Sequence, residues 1–404
     1  MLDEQQMDAR DTTGISVIVS ASAGAGKTSV LVERLLKRCL VDHVPLERIL
    51  AMTFTKAAAQ EMKSRLASGL SQHLAQAETK EERNWISDQL IALSAAQITT
   101  IDSWCLAIIQ KYAAVIGLDP AVCTNVLDEG TRQVMSHEAF CQCLGSMDME
   151  KAYRLATMFS ARSEDYSALE QAVNSVNAHA QSAFDPSAFY QDCRDKYSPV
   201  KSLSDFDPDI LAAFFDRMIL SVSNLNDLLD EMETAAQGDE KVDPKTLQGV
   251  RNGIVNVLDA LQQHSWGLYL SALETLALLQ TSPSTKNLPY DRARKDFSAR
   301  IKALLAGAQD EATLVSDAND MVPIVNDFLD LCENTADTLA RMKADNTCMD
   351  FSDMERYVLA ILQADHGETA ARIRDSYDEI MVDEFQDTST LQNAIINGTL
   401  TMIL

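Results

Sequence analysis

The sequence contains no long apolar run. A helix that spans a bilayer needs about 20 consecutive apolar residues, and no stretch of this 404-residue chain approaches that length. The first ten residues, MLDEQQMDAR, are polar and acidic, whereas a secretory leader starts with basic residues and continues with apolar ones. We therefore predict a cytoplasmic protein that has no contact with a membrane.

Cysteine pairs at metal-binding or redox spacing are also missing. The eight cysteines are scattered along the chain, and only Cys141 and Cys143 stand close to each other. Metal knuckles and redox centres place two cysteines within a short motif. The cysteines are therefore interpreted as buried free thiols.

Positive charge is scarce, because 34 Lys and Arg stand against 60 Asp and Glu and give a net charge of -26. Proteins that bind nucleic acid through their overall charge are basic, so this class is excluded and any such contact must be local. No Lys or Arg lies between Asp310 and Asp337, where acidic residues are concentrated. This stretch is interpreted as the solvated surface of a helix.

Short apolar runs alternate with helical patterns near the N-terminus. The runs are Ser16–Val19, Ile49–Phe54 and Ile98–Ile101. This alternation is typical of a buried parallel sheet with crossover helices. Near the C-terminus, Ile380–Val382 predicts one more central strand of the same sheet.

Between about Lys111 and Asn346 the strand patterns disappear and amphipathic helix dominates. The apolar residues of one stretch alternate in spacing between four and three, as in a helix packed lengthwise on a partner: Leu211, Phe215, Met218, Val222, Leu225 and Leu229. We therefore predict that residues 1–110 and 347–404 form one α/β domain and that 111–346 is a helical insertion.

A loop suited to phosphate binding follows the first predicted strand. It consists of Ala21, Ser22, Ala23, Gly24, Ala25, Gly26, Lys27, Thr28 and Ser29. Glycines let backbone amides turn inward, the lysine reaches the outer phosphates and the threonine binds Mg²⁺. Alanine stands at the first position, where the strict pattern has glycine, but the predicted strand before and helix after supply the required context. The loop predicts nucleotide binding without identifying the kind of enzyme.

Two adjacent acids follow the last predicted strand. Asp383 and Glu384 would lie at the carboxyl edge of the sheet, where ligands of α/β proteins bind. One carboxylate can hold the Mg²⁺ of a nucleotide and the other can deprotonate the attacking water. The alternative is a solvated acidic loop at a strand end. The phosphate loop elsewhere in the chain favours the catalytic interpretation.

Five segments, in order, resemble the motifs of the UvrD/Rep helicases of superfamily 1. DEFQDT at 383–388 resembles motif II, and TFTKAAAQEM at 53–62 with Arg65 is similar to motif Ia. ITTIDSWC at 98–105 resembles the next DNA-contact motif, T-x-H-S-F-C, and Gln6 with Ala9 is similar to the motif whose glutamine reads adenine. The phosphate loop with alanine at its first position is common in this family.

The distance between motifs resembles that of the RecB/AddA branch. Lys27 and Asp383 are 356 residues apart (383 − 27), and that branch carries a large helical insertion there. CMDFSDME at 348–355 also resembles the segment that leads into motif II in that branch. The resemblance implies an α/β fold, namely a RecA-like P-loop NTPase domain with a parallel sheet and a large all-helical insertion.

The resemblance also implies roles for individual residues. The catalytic residues would be Lys27, Asp383, Glu384 and Gln386; Gln6 and the phosphate loop would bind ATP; Thr28 and Asp383 would bind Mg²⁺; and Phe54, Thr55, Lys56, Asp102, Ser103 and Trp104 would bind DNA. Two residues depart from the family, since Asp102 and Trp104 replace its usual His and Phe. Tryptophan still offers a stacking face, whereas an acid is unfavourable beside a phosphate backbone. For Phe54 the alternative is core packing at a strand end.

The implied function is an ATP-dependent 3'-5' DNA helicase or translocase that acts on single-stranded or broken-end DNA in double-strand break repair and recombination. A partner nuclease or helicase subunit is expected. The family continues past motif II into a second RecA-like domain with ATP-contacting arginines, and this sequence ends at Leu404 before reaching it. We therefore expect very low ATPase activity, and the alternative is a fragment that binds ATP and DNA without turnover. A small-molecule kinase would share the phosphate loop but not motifs Ia and II.

Overall fold

The computed structural model describes residues 4–20, 26–159, 165–237, 242–279 and 288–399. These residues are mostly helical and include one small parallel sheet. Its strands are β1 (Ile49–Thr53), β2 (Gln97–Thr100) and β3 (Glu379–Val382), in the order β2-β1-β3. The predicted α/β class is confirmed in this sense.

The helices of the described residues surround this sheet or form a separate bundle. They are α1 (Glu4–Asp11), α2 (Lys27–Leu40), α3 (Lys56–Gln76), α4 (Lys80–Ala92), α5 (Ile101–Tyr112), α6 (Glu129–Ser146), α7 (Met149–Phe159), α8 (Ser167–Ser182), α9 (Pro186–Lys196), α10 (Pro208–Ala235), α11 (Pro244–Gln262), α12 (Trp266–Leu278), α13 (Leu288–Ala306), α14 (Glu311–Asp345), α15 (Phe351–Gln363), α16 (Glu368–Arg374) and α17 (Thr390–Thr399). Short 3-10 helices occupy Leu46–Arg48, Ala113–Ile116, Pro120–Thr124, Leu203–Asp205, Asp365–Gly367 and Phe385–Asp387.

The central strand β1 joins the two ends of the chain. It pairs in parallel with β2 on one side and with β3 on the other, so that Ala51 lies opposite both Ile98 and Met381. All five residues of β1 are buried, as expected for a parallel strand covered on both faces. The prediction that motifs near both termini share one sheet is confirmed by this pairing.

Two strand predictions were wrong. Ser16–Val19 is not a strand, and Ile18 in this segment is 83% exposed. Apolar residues favour a strand, but a strand forms only where a neighbour supplies the ladder of backbone hydrogen bonds, and no described strand pairs with this segment. Ile380–Val382 does form a strand, but β3 lies at an edge of the described sheet and not at its centre.

The sheet has a hydrophobic core on each face. Successive side chains of a strand point to opposite faces, so Leu50 and Met52 enter one core while Ile49 and Ala51 enter the other. The first core is completed by residues of α5, α15 and α17, including Trp104, Val358 and Ile395. The second is completed by residues of α2 and α3, including Leu35, Cys39, Met62 and Leu66. Helices on both faces thus fix the carboxyl edge of the sheet.

The chain divides into two compact units. Of the described residues, the first unit takes those within 1–148, 159–189 and 331–404, and the second takes 149–158 and 190–330. The first unit takes in further residues next to the boundaries that we predicted at 110/111 and 346/347, and those boundaries stay a prediction. One reason is that Val122 and Cys123 lie in the core of the sheet beside Met349. The backbone amide of Leu127 also donates to the carbonyl of Met349 at 2.9 Å.

The second unit is a helical bundle whose core confirms the predicted helical spacing. Phe215, Val222, Leu225 and Leu229 of α10 are fully buried in one cluster with residues of α11 and α12. Gly253 of α11 allows the close approach of α12, because a Cβ there would lie 2.8 Å from the Cδ1 atom of Leu276.

Two further expectations concern the membrane and the thiols. In the described part of the chain, no helix is both long and apolar enough to cross a membrane. All eight cysteines are free thiols. Five are buried, but Cys143 and Cys193 are half-buried and Cys141 is exposed, so the prediction that all are buried was wrong.

Candidate active site

The phosphate loop ends at the start of α2. Ala21, Ser22, Ala23, Gly24 and Ala25 lie outside the described residues. Gly26 is left-handed, with φ 81° and ψ 22°, and stands immediately before α2, which begins at Lys27. A glycine adopts this conformation without steric cost. The amino end of α2, which carries the positive end of the helix dipole, therefore lies where the loop would hold phosphates.

The two predicted Mg²⁺ ligands lie next to each other, although 355 residues separate them in sequence. The Thr28 hydroxyl donates a hydrogen bond to Asp383 Oδ2 at 3.2 Å. Adjacent oxygen ligands of an octahedral Mg²⁺ stand about 2.9 Å apart, given bond lengths of about 2.0–2.1 Å. Asp383 is fixed by its backbone, whose amide donates to the carbonyl of Met52 at 2.9 Å and so extends the pairing of β1 with β3. This donor pair fits a magnesium ion.

Lys27 and the second acid also meet. Lys27 Nζ lies 3.5 Å from Glu384 Oε2, and the Gln386 side-chain amide donates to the same carboxylate. The hydrogen bond from Gln386 and the charge of Lys27 hold the pKa of Glu384 below its usual value. Glu384 is therefore a carboxylate at neutral pH, and it lies beside the lysine that would contact the outer phosphates.

Gln6 lies near the end of the phosphate loop. A Cβ on Gly26 would stand 3.5 Å from Gln6 Nε2. The guanidinium of Arg34 in α2 holds α1 in place, because it donates to the backbone carbonyl of Ala9 at 2.7 Å and pairs with Glu379 of β3. The structure thus brings the predicted adenine-reading glutamine to the same end of α2 as the phosphate loop.

The predicted DNA-contact residues after β1 lie at the surface. Phe54 is 38% exposed, so its ring is not packed in the core, which was the alternative for this residue. The Thr55 hydroxyl accepts a hydrogen bond from the amide of Ala58 at 3.1 Å and caps α3. Lys56 is exposed at the first position of that helix.

The second segment that we predicted to contact DNA is only partly exposed. Ser103 is half-buried, and its hydroxyl lies 2.8 Å from that of Thr100, which caps α5. Burial raises the pKa of Asp102, while the nearby charge of Lys56 lowers it. Lys56 thus offsets part of the charge that stands where the family has histidine.

Trp104 differs from the expectation of an available stacking face. Its side chain is 1% exposed and lies in the core between the sheet and α15. Its indole N–H donates to the Tyr377 hydroxyl at 3.1 Å. The large apolar ring is stabilised by burial, so in this structure it is part of the core and has no exposed face on which a base could stack.

Some supporting residues were missed in the sequence. Arg34 and Arg38 both pair with Glu379, the first residue of β3. Two arginines four residues apart on a helix, and an acid at the start of an apolar strand, were the available signals, because a charge beside a core needs a partner. Gln392 was also missed; its side-chain amide donates to Glu355 at 2.6 Å, and the charge of Glu355 interacts with that of Asp102.

The comparisons with known proteins agree with these motifs. Residues 2–401 match the family described as UvrD/REP helicase N-terminal domain. The chain is similar to bacterial proteins that are named as subunits of an ATP-dependent helicase/nuclease: it is 28% identical to that of Clostridium novyi over 98% of this chain and 33% of the relative. It is 28% identical to the subunit of Lacticaseibacillus casei, over 95% of this chain and 32% of the relative. It is 29% identical to the subunit of Levilactobacillus brevis, over 96% of this chain and 32% of the relative.

The chain thus spans about a third of the length of the curated relatives that it matches. The family match, by contrast, runs almost from end to end of this chain and includes both halves of the site. With Thr28 beside Asp383 and Lys27 beside Glu384 at one sheet edge, the chain belongs to the family of UvrD/REP helicase N-terminal domains.

Proposed function

We propose that this chain is the ATP-binding part of an ATP-dependent 3'-5' DNA helicase or translocase of the RecB/AddA type. Its substrate would be single-stranded or broken-end DNA in double-strand break repair and recombination. The observation that carries the proposal is the hydrogen bond between Thr28 and Asp383, which joins two motifs separated by 355 residues. A partner protein, a nuclease or a second helicase, is proposed because the relatives are named as subunits.

The site residues support hydrolysis of the outer phosphate of ATP. Thr28 and Asp383 would hold Mg²⁺, which would neutralise charge on the outer phosphates. Lys27 would exchange its contact with Glu384 for a contact with the phosphate. Glu384, freed from the lysine but still bonded to Gln386, would accept a proton from the attacking water. Gln6 would read the adenine from the neighbouring helix α1.

The proposed DNA contact lies at the same carboxyl edge of the sheet. Phe54 would stack on a base, which stabilises such complexes by about 1–3 kcal/mol per base. Thr55 and Lys56 would contact the backbone phosphates at the amino end of α3. Ser103 and Asp102 would lie further along the same contact. Phe54 directly follows β1, and Asp383 directly follows β3, the strand that pairs with β1. A shift of one strand at this edge would therefore move residues of both proposed sites.

The proposed organisation is a RecA-like domain built from 1–110 and 347–404, with 111–346 as a helical insertion that contacts DNA or a partner. We also propose that these 404 residues alone turn over ATP very slowly, because the resemblance assigns the ATP-contacting arginines to a second domain. Arginines supplied across a cleft are worth about 10³–10⁵ in rate in related phosphate chemistry. A single-turnover ATPase assay with and without single-stranded DNA tests this proposal, and strong stimulation of ATP hydrolysis by DNA would contradict it.

The proposal is tested by titration calorimetry with ATP and Mg²⁺. The wild-type chain should bind saturably, and Lys27→Ala should weaken binding at least about tenfold, because it removes the cation that contacts the outer phosphates. Lys80→Ala is the matched control, since this lysine is exposed at the start of α4. Equal affinities for the wild type and Lys27→Ala would contradict the assignment.

A further inference from the structure

Three side chains on α6 and α8 form a hydrogen-bonded chain, here named the thiol triad: Cys141, His137 and Glu170. His137 Nδ1 lies 3.0 Å from Glu170 Oε1, and Cys141 Sγ lies 3.6 Å from His137 Nε2. The two helices are joined next to the triad, because the Ser136 hydroxyl donates to Asn174 Oδ1 at 3.0 Å. The triad is thus fixed by the packing of two helices within one unit of the chain.

The carboxylate determines which ring nitrogen carries the proton. A carboxylate can only accept a hydrogen bond, so the Nδ1 atom of His137 must be the donor to Glu170. In the neutral ring Nε2 is then left as an acceptor, and it faces the thiol of Cys141. This is the arrangement of a nucleophile, a base and an orienting acid, which is recognised by geometry and not by fold.

The thiol of the triad is also accessible. Cys141 is exposed, and the His137 side chain is 60% exposed. Cys143, two residues further along α6, is half-buried, and its sulfur lies 3.3 Å from the Thr338 hydroxyl. Cys39 is fully buried, and burial raises its pKa to about 12, which makes that thiol unreactive. The triad therefore distinguishes one cysteine from the other seven.

A metal site is a poorer interpretation of the same residues. Within the ranges that the structure describes, no group of three or more His, Cys, Asp or Glu side chains is arranged to hold a metal ion. The reason is visible in the triad, because Glu170 and Cys141 lie at opposite nitrogens of the His137 ring. Their ligand atoms do not converge on one point.

We propose that Cys141 is a modification site at which a hydroperoxide oxidises the thiol to a sulfenic acid. The thiol proton moves to His137 Nε2, and the sulfur attacks one oxygen of the peroxide. The O–O bond breaks, the sulfur is oxidised, and the departing oxygen takes the proton from His137 and leaves as water or an alcohol. Glu170 stabilises the imidazolium of His137 while both ring nitrogens carry a proton. Such accessible, base-activated thiols are the ones that peroxides oxidise.

The test uses the full 404-residue chain with Cys143→Ser, so that only Cys141 remains in its tryptic peptide. The chain is treated with hydrogen peroxide, sulfenic acid is trapped with dimedone, and labelling rates are measured by mass spectrometry. Cys141 should be labelled at least about tenfold faster than the half-buried Cys193, and His137→Gln should lower its rate about tenfold. Glu138→Gln, an exposed neighbour of the triad on α6, should leave the rate unchanged.

Two outcomes would overturn the proposal. One is a labelling rate at Cys141 that does not exceed the rate at Cys193. The other is a rate in His137→Gln within twofold of the wild-type rate. Glu170→Gln provides a second variant on the other helix, and it should also slow labelling of Cys141 because the orienting carboxylate is lost. Circular dichroism of each variant checks that the helices are retained.

Discussion

The backbone at Glu384 has φ 55° and ψ 40°, a left-handed conformation that residues other than glycine rarely adopt. Such a residue costs about 1–3 kcal/mol and persists only where its surroundings fix it. Glu384 is fixed on its N-terminal side by β3 and by the hydrogen bond that its backbone amide donates to Asp383 Oδ1 at 3.1 Å. Its side chain is fixed by the contacts with Lys27 and Gln386. The turn lets two successive acids contact different residues, Asp383 contacting Thr28 and Glu384 contacting Lys27.

The charge of Asp383 should matter only when Mg²⁺ is present. Asp383→Asn keeps the size of the side chain and an oxygen that can accept from Thr28, but it removes the charge that would hold Mg²⁺. ATP binding in the presence of Mg²⁺ should weaken at least about tenfold, whereas binding measured in EDTA should stay close to that of the wild type. Asp88→Asn, an exposed acid of α4, is the control. A loss of affinity that is equal with and without Mg²⁺ would disprove the metal role.

At the scale of elements, a buried ion cluster joins α14 to α15. Lys343, 5% exposed, lies 3.0 Å from Asp350 and 2.6 Å from Asp353. The two acids also cap α15 by exchanging hydrogen bonds with each other's backbone amides. The charge of Lys343 helps to hold the pKa of Asp350 below its usual value, while burial raises that of Asp353. The segment that leads to β3 is therefore anchored by charge.

Replacing this lysine should destabilise the chain strongly. Lys343→Met leaves two buried carboxylates without their partner, and breaking a buried ion pair costs about 3–5 kcal/mol. The pKa of Asp350 is lower in the folded chain than in the unfolded chain. Its carboxylate therefore stabilises the fold at pH values above the unfolded pKa of about 3.9, and this stabilisation is lost as the pH falls through the folded pKa. The difference between wild type and variant should therefore shrink at acid pH. Urea unfolding at pH 7 and at about pH 2.5, which lies below the unfolded pKa, measures this difference, with Lys80→Met as the exposed control.

Elements that their own residue pattern marks were predictable from the sequence, whereas the surroundings that a distant segment supplies to a side chain or a strand were mostly not. β1, β2 and β3 follow from short apolar runs, and α2 follows from its apolar spacing and from Gly26. The segment 16–19 is also a short apolar run, but no strand among the described residues pairs with it. Trp104 was misjudged because its role depends on Tyr377, 273 residues away. The pairing of Thr28 with Asp383 was expected only because the chemistry of phosphate transfer requires both.

At the scale of the whole molecule, charge limits how DNA can bind. The chain carries a net charge of -26, so phosphates are repelled except near a few cations. Near the proposed contact these are Lys56 and Lys63, while Arg65 is paired with Glu61 and contacts Ser29. A protein that neutralises so few phosphates releases few counterions.

The salt dependence of binding should therefore be shallow. Each phosphate that is neutralised on a single strand contributes about -0.7 to the slope of log affinity against log salt concentration. With two or three phosphates neutralised, the slope should be about -2. Fluorescence anisotropy with a labelled single strand, between about 50 and 300 mM salt at constant pH, measures this slope. Lys56→Ala should reduce it, and Lys80→Ala should not. A slope steeper than about -5 would require a basic surface elsewhere in the chain.

The pairing of β1 with β3 also has a consequence for the order of events on the ribosome. Thr53 and Glu379 are 326 residues apart (379 − 53), and at about 5–20 residues per second this interval takes about 16–65 s to synthesise. Throughout that time β1, whose five residues are all buried in the folded chain, has one edge without its native partner. An unpaired apolar edge is a template for mispairing. The nascent chain therefore has to protect this edge until β3 (Glu379–Val382) emerges, and only then can the two halves of the nucleotide site meet.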